Sequence, residues 1–466
     1  MLLRPFGLTA IASIFLLGGC ALGPDFIRPK VETPSAFREA PKHWKVAEPR
    51  DLETQSTWWE IFGDPQLDKL VQQATDANQT ILAADANYRQ ALAVIGSSRA
   101  ALFPNLGSSV SNSRGQSAGT NGAIANTRTT DRVALSSAWE LDIWGRLRRT
   151  LESSTSTAEA TAGDLAAARL SVQSTLVQSY LQLRINDAQQ SLLERTLTIY
   201  HRSHEITRNR YQAGVASQAD VAQAETQLLS TEAQLVDLGI QRAQLEHAIA
   251  ALTGKLPSDL LLERSDRVPN LPEVPLVLPS ALLERRPDIA AAERRVAAAN
   301  AQIGVAQAAF FPNLTLSASG GYQNSSFADI LSAPYRFWSV GPALALTLFD
   351  AGARSSAKEQ AMAGYDRSVA TYRQTVLTAF QEVEDNLAAL RILSTEKEIQ
   401  KNATRAANEF QTLTNNQYLA GTVSFLNVAT AQAAALSAER SSLDILNRQL
   451  IATVGLVKAL GGESSK

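Results

Sequence analysis

Prolines partition this 466-residue chain. All 17 lie within 5–104, within 257–312, or at 334 and 342, so 105–256 and 343–466 contain none. A proline inside a helix costs about 3 kcal/mol. Two proline-free tracts of this length, rich in Ala, Gln, Leu, Glu and Arg, therefore permit very long helices.

The first is expected from Arg146 to Gln212, where Leu165, Ala168, Val172, Leu176, Tyr180 and Leu183 recur at spacings of three and four. At 1.5 Å per residue it would extend about 100 Å. Such a rod must pack lengthwise, as a coiled coil or as the wall of something tall. It ends in "RYQAGVASQADVAQAE" (210–225), after which a second helix runs to about Leu252. "QYLAGTVSFLNVATAQ" (417–432) repeats the device 207 positions later, with Tyr211 and Tyr418, Ala213 and Ala420, and Gly214 and Gly421 matching. Gly supplies a left-handed helix cap and a following Ser starts the next helix, so each half carries a long helical hairpin. On the residues alone, these turns are no more than helix caps.

A second repeated signature precedes the hairpins. "RAALFPNLGSS" (99–109) returns as "QAAFFPNLTLS" (307–317). Residues 67–102 and 288–310 are helical in pattern, and Pro104 and Pro312 stop them. The period then becomes two. Val133, Leu135, Ser137, Trp139 and Leu141 alternate with Ala134, Ser136, Ala138, Glu140 and Asp142, and strands are expected at about 105–113, 132–142, 313–323 and 337–348. Polar loops separate them at 112–130 and 321–334. The expected organisation is a segment 20–66, a first repeat 67–252 with its tip near 214, and a Pro-rich linker 253–287. A second repeat 288–460, with its tip near 421, and a tail 461–466 complete it.

The N-terminus reads as an export signal, 1–19, with Arg4 followed by an apolar run from Leu8 to Leu17 that is too short to span a bilayer. Leu17-Gly18-Gly19-Cys20 resembles a lipobox, which makes Cys20 the candidate lipidation site. The alternative is an ordinary signal with an incidental cysteine. As the single cysteine, Cys20 allows no internal disulfide and no Cys cluster for a metal. A net charge of −2 offers no broad basic face for nucleic acid. No phosphate loop or nucleophile triad is present, so neither an enzyme nor a cofactor is expected beyond a covalent lipid on Cys20.

Strands of roughly ten residues with one apolar face suit an outer-membrane barrel, although a soluble sandwich would read similarly. Four strands cannot close a barrel, so closure needs several chains, and three copies give twelve strands. The fold class is mainly α with a membrane β-barrel part, a duplicated unit carrying long coiled-coil hairpins. The remaining alternative is a lipid-anchored coiled-coil scaffold.

"WWEIFGDPQLDKLV" (58–71), "ERRPDIAAAERRVAAANAQIGVAQAAFFPNLTL" (284–316) and the two Tyr-x-Ala-Gly turns resemble the TolC-like outer membrane factors, nearest to the OprM-like and NodT-like lipoprotein branch. The resemblance implies a homotrimer in the outer membrane with a 12-stranded β-barrel, a periplasmic α-barrel and an equatorial belt drawn from 21–66, 253–287 and the C-terminus. It implies a passive exit duct for drugs or other small toxic molecules, served by a periplasmic adaptor and an inner-membrane pump of the RND type. A duct for type I protein secretion is the alternative within the same architecture. Tyr211, Ala213, Gly214, Tyr418, Ala420 and Gly421 fall at the tip that receives the adaptor. Asp220, Tyr418 and Asn427 fall at the gate, with Val423 and Asn427 replacing charged residues of the family.

Three further groups carry weaker signals. His201 and His204, three apart, have metal-ligand spacing but read better as a helix surface. Trp139, Trp144, Tyr322 and Trp338 fit interfacial anchors, or equally a soluble sheet core. Arg146, Arg148 and Arg149 open the long helix just after a strand, a position that suggests lipid headgroups or the equatorial region, with a solvated helix face as the default reading.

Overall fold

The computed structural model describes residues 21–34, 36–39, 57–116, 127–265, 267–272 and 285–462. The element order is α1 (Pro65–Ala77), α2 (Gln79–Ala100), β1 (Asn105–Gln116), β2 (Thr127–Leu141), α3 (Arg146–Gln212) and α4 (Gln218–Leu252). It continues with α5 (Pro287–Ala308), β3 (Asn313–Asn324), β4 (Arg336–Ala345), α6 (Ala353–Leu419) and α7 (Phe425–Ala459). The duplication is metrically close. Both α2 and α5 have 22 residues, β1 and β3 have 12, α3 and α6 have 67, and α4 and α7 have 35.

Two compact units divide the chain, and each draws on both repeats. The first holds the sheet with the adjoining stretches of α2, α3, α5 and α6. Its four strands run antiparallel in chain order, so β2 and β3 join the repeats, with Leu135 opposite Gly320. At Gly321 the strands approach so closely that a Cβ would stand 2.8 Å from the Ala134 Cα, which excludes larger residues.

The second unit holds α1, α4, α7 and the greater part of α3 and α6. Leu165, Val172, Leu176, Tyr180 and Leu183 of α3 are buried as their spacing implies, whereas Ala168 is half-buried. Residues 260–265, within the expected linker, are pinned to α3 and α4. Arg184 donates to the Glu263 carbonyl and Arg242 to that of Leu262, while both guanidiniums pair with the buried Asp187.

Three sequence expectations are corrected. The helix expected over 67–102 breaks at Asn78, whose side chain accepts from the Thr80 and Ile81 amides and donates to the Leu252 carbonyl, capping α2 and docking it on the end of α4. Strands β1 and β2 extend through Gln116 and from Thr127, because backbone pairing such as Ser113 with Thr130 continues where neither face is apolar. Strand β4 ends at Ala345, so Leu346 and Leu348 lie beyond it, before Asp350 accepts from the Arg354 amide at the start of α6.

Candidate functional site

The sheet has two chemically different faces. Register places Leu106, Val110, Val133, Leu135, Trp139, Leu141, Leu314, Leu316, Trp338, Val340 and Leu344 on one side. Much of this side is bare, Trp338 being 76% and Leu106 75% exposed. The opposite side carries Gly107, Ser109, Ser136, Ala138, Ser317, Ser319, Ser339 and Gly341. An apolar face open over four strands is unfavourable in water and suits hydrocarbon, while the small polar face suits a water-filled lumen. Strands β1 and β4 form the two edges of this sheet. No described helix is long and apolar enough to cross a membrane.

The foot of the sheet is fixed by side chains that the sequence left unpaired. Trp139 Nε1 donates to the Leu102 carbonyl, and Trp144 Nε1 donates to that of Pro312 while its ring lies 4.7 Å from Phe311. The junction residues Pro104 and Pro312 thus sit where each helix gives way to a strand. Arg146 pairs with Glu140, Arg148 with Asp142, and Arg149 with Asp25 and Glu152. Arg149, only 4% exposed, is therefore neither solvated nor lipid-facing, whereas the side chains of Arg146 and Arg148 stay 40% and 41% exposed. It also donates to the carbonyls of Leu22 and Gly23, and the Leu22 amide donates to Trp144. Burial alone would lower its pKa, but the carboxylates of Asp25 and Glu152 outweigh it and hold the pKa above the usual arginine value. Cys20 lies outside the described residues.

Both tips of the second unit have the predicted turn. Gly214 and Gly421 adopt φ of 72° and 78°, each amide donating to the carbonyl of Tyr211 or Tyr418. Ala213 and Ala420 close the last helical turn onto Asn209 and Asn416. Tyr418 is buried with Phe425, Val428 and Ala429 against Ala224 of the first hairpin, with Ile206 and Val423 packed alongside. Its hydroxyl shares a hydrogen bond of 3.1 Å with Thr207. Arg210 lies 4.6 Å over its ring and donates to its carbonyl at 2.8 Å. A charge-assisted bond of this kind contributes about 1.5–3 kcal/mol.

The structure does not bring Asp220 to Tyr418. Its carboxylate accepts from the Ser217 amide and hydroxyl, and Ser217 in turn accepts from the Asp220 amide, a capping box that starts α4. Asn427, its repeat equivalent, instead accepts from the Ser424 hydroxyl at 3.3 Å. Arg210 was missed by the sequence reading because its repeat equivalent is Gln417 and no spacing rule joins it to a residue 208 positions away. His201 is exposed and His204 half-buried, and no cluster of metal-ligand type occurs among the described residues.

A two-faced four-stranded sheet and, following its strands in sequence, two long helical hairpins define the subunit of an outer-membrane channel. The outer membrane efflux protein family matches residues 70–255 and again 278–462, and the chain belongs to that family. It is 30% identical over 459 residues to the probable efflux pump outer membrane protein TtgC of Pseudomonas putida, covering 98% of this chain and 95% of that one. It is 32% identical over 463 residues to the pyoverdine export outer membrane protein OpmQ of Pseudomonas aeruginosa, covering 98% and 96%. The solved outer-membrane channel OprN superposes with a TM-score of 0.89 at 31% identity, over 95% of this chain and 99% of that one. This chain is accordingly an outer-membrane efflux duct.

Proposed function

We propose that the protein is the homotrimeric exit duct of a tripartite pump, passing drugs or other small toxic molecules from a periplasmic adaptor and an RND-type inner-membrane pump to the exterior. The carrying observation is the four-stranded sheet, apolar on one face and small and polar on the other, with edges at β1 and β4. In lipid an open edge leaves backbone groups unpaired, and twelve strands from three copies remove every edge. The efflux and export functions in the names of the relatives support a duct for outward passage of molecules.

The duct performs no chemistry of its own, and the energy is supplied by the pump. The glycine turns at Gly214 and Gly421 receive the adaptor, because small residues at a helix end let another hairpin approach. Lipid on Cys20 anchors the chain in the outer membrane, a reading supported by the docking of Ala21 and Leu22 beside Gly145 and Trp144 at the sheet's foot.

The test is single-channel conductance of the purified full chain in planar bilayers, with its mass in detergent. Trimers giving small, long-lived conductances are expected. Monomers without conductance would remove the duct and leave a lipid-anchored scaffold.

A further inference from the structure

The charged residues of the sheet gather at one end and divide between its faces. Between Asn105 and Trp139, and again between Asn313 and Ala345, the chain carries four arginines, Arg114, Arg128, Arg132 and Arg336, against two aspartates, Asp131 and Asp329. All lie toward the end away from the helices, since α2, α3 and α5 adjoin the strands at Asn105, Leu141 and Asn313. Register sets Arg114, opposite Thr129, and Arg336, opposite Tyr322, on the apolar side together with Asp131. Arg128, opposite Gly115, and Arg132, opposite Ser111 and Gln323, fall on the small polar side with Ser136 and Ser319.

No carboxylate stands beside these two arginines on the polar side among the described residues. Asp131, 3% exposed, accepts from Asn112 on the apolar side, and Asp329 is exposed in the connection between β3 and β4. Glu140 shares the polar side but is taken by Arg146, and it stands eight residues along β2 from Arg132, roughly 27 Å at 3.4 Å per residue. Charges farther apart than about 8 Å are largely screened at physiological salt. The Arg132 guanidinium is also held in place. It lies 4.4 Å from the centroid of the Phe337 ring, which faces the same side from β4. The strand between them contributes Gly321, opposite both Ala134 and Phe337, so no side chain fills the gap across which the arginine reaches. Stacking over an aromatic ring fixes a guanidinium and leaves its N–H edge for a carboxylate or phosphate, which such a fork meets with two hydrogen bonds.

We propose that Arg128 and Arg132 form an arginine ring at the outer mouth of the duct, which draws anionic solutes, those bearing a carboxylate, phosphate or sulfonate, toward the exit. Two guanidiniums per copy and three copies place six positive charges around the lumen. A ring of one sign in a low-dielectric wall focuses its field into the pore, favouring anions and repelling cations. The inference rests on the trimeric duct reading and names the charge of the solutes that the duct passes best.

The test measures single-channel currents of the full-length protein in planar bilayers, with inorganic pyrophosphate added as a polyvalent anion probe to the chamber facing the strands. Pyrophosphate should block the wild-type current in a voltage-dependent manner. Arg132→Gln should raise the half-blocking concentration severalfold and shift the reversal potential in a salt gradient toward cations. Arg128 is exposed, so Arg128→Gln disturbs little packing, and it should raise that concentration at least twofold. Arg114→Gln, at the same end but on the other face, should leave both readings at the wild-type value. A merely structural stack of Arg132 on Phe337 would leave block and selectivity unmoved. Conducting trimers that pyrophosphate does not block, whose block ignores both lumen-facing substitutions, or in which Arg114→Gln weakens it as much as Arg132→Gln, would overturn the ring while leaving the duct standing. Monomers without conductance would overturn both.

Discussion

Arg149 donates to the Asp25 carboxylate at 2.9 Å across 124 positions of sequence. Around this bond three glycines let backbones touch. A Cβ on Gly23 would stand 2.5 Å from the Gly304 Cα, one on Gly145 2.6 Å from the Ala21 Cα, and one on Gly304 2.6 Å from the Leu22 carbonyl oxygen. Asn300 donates to the Pro24 carbonyl and Arg28 pairs with Glu293, so residues 24–28 of this N-terminal strap lie along α5. Arg149→Met should loosen this strap by about 2 kcal/mol, the worth of its charge-assisted bonds. Limited trypsinolysis after Lys30 should then be several times faster than in wild type, and an unchanged cleavage rate would show that the strap is held by other contacts. Gly304→Ala should act in the same direction, since the backbone of Leu22 has nowhere to retreat without losing its bond to Trp144.

What was legible in the sequence follows physical range. Periodicity and proline placement are local signals, and they located α3 at Arg146–Gln212 and both tip turns to the residue. The ends of the strands were less legible, because backbone ladders persist through polar residues such as Ser113 and Thr130 that carry no alternation. Asn78 was invisible as a break, since its capping role depends on the Leu252 carbonyl 174 positions away. Arg149 read as one of a cluster of helix-opening charges, and nothing local singled out Arg210 or Arg184. Their partners are fixed only by the tertiary fold.

Asp187 is the hub of the network that holds residues 260–265 to α3 and α4. It is 1% exposed at the side chain and accepts from Arg184 at 3.0 Å and Arg242 at 2.9 Å. Removing one member of a buried pair strands the others at a cost of about 3–5 kcal/mol. Asp187→Ala should therefore lower the midpoint of urea unfolding markedly. The double variant Asp187→Ala with Arg242→Met should recover part of that loss, whereas a loss equal to the sum of the single variants would show that the two residues do not act together.

Asp68 gives a pH-dependent prediction. Burial, reinforced by the nearby carboxylates of Glu60 and Asp64, raises its pKa above the ordinary carboxylate value. Its Oδ1 is buried without a partner among the described residues. The folded protein thus holds this proton more tightly than the unfolded chain, and stability falls as pH rises from the unfolded pKa, about 3.9, through the folded one. Asp68→Asn removes that loss. Its thermal midpoint should exceed that of wild type at neutral pH, with the advantage vanishing on acidification below the unfolded pKa. A constant difference at all pH values would assign the effect to something other than ionisation.

Leu135 and Ser136 are neighbours in β2 whose side chains leave the sheet on opposite faces. Leu135 pairs with Gly320, itself opposite Trp338, in the middle of the apolar face. Ser136 pairs with Gly107 and with Ser319, which lies opposite Ser339 among small polar residues. The same substitution, to lysine, should therefore have unlike consequences. On the apolar face a cation near the bilayer midplane costs about 2–4 kcal/mol, so Leu135→Lys should cut the yield of heat-resistant trimers in outer-membrane fractions. On the polar face the ammonium stays hydrated, so Ser136→Lys should assemble at wild-type yield. Each copy then places its charge in the shared lumen, and the reversal potential in a salt gradient should shift toward anion selectivity. If Ser136→Lys failed to assemble and Leu135→Lys altered selectivity, the two faces would have to be exchanged, and the lipid-facing side would be the one lined with serine, glycine and alanine.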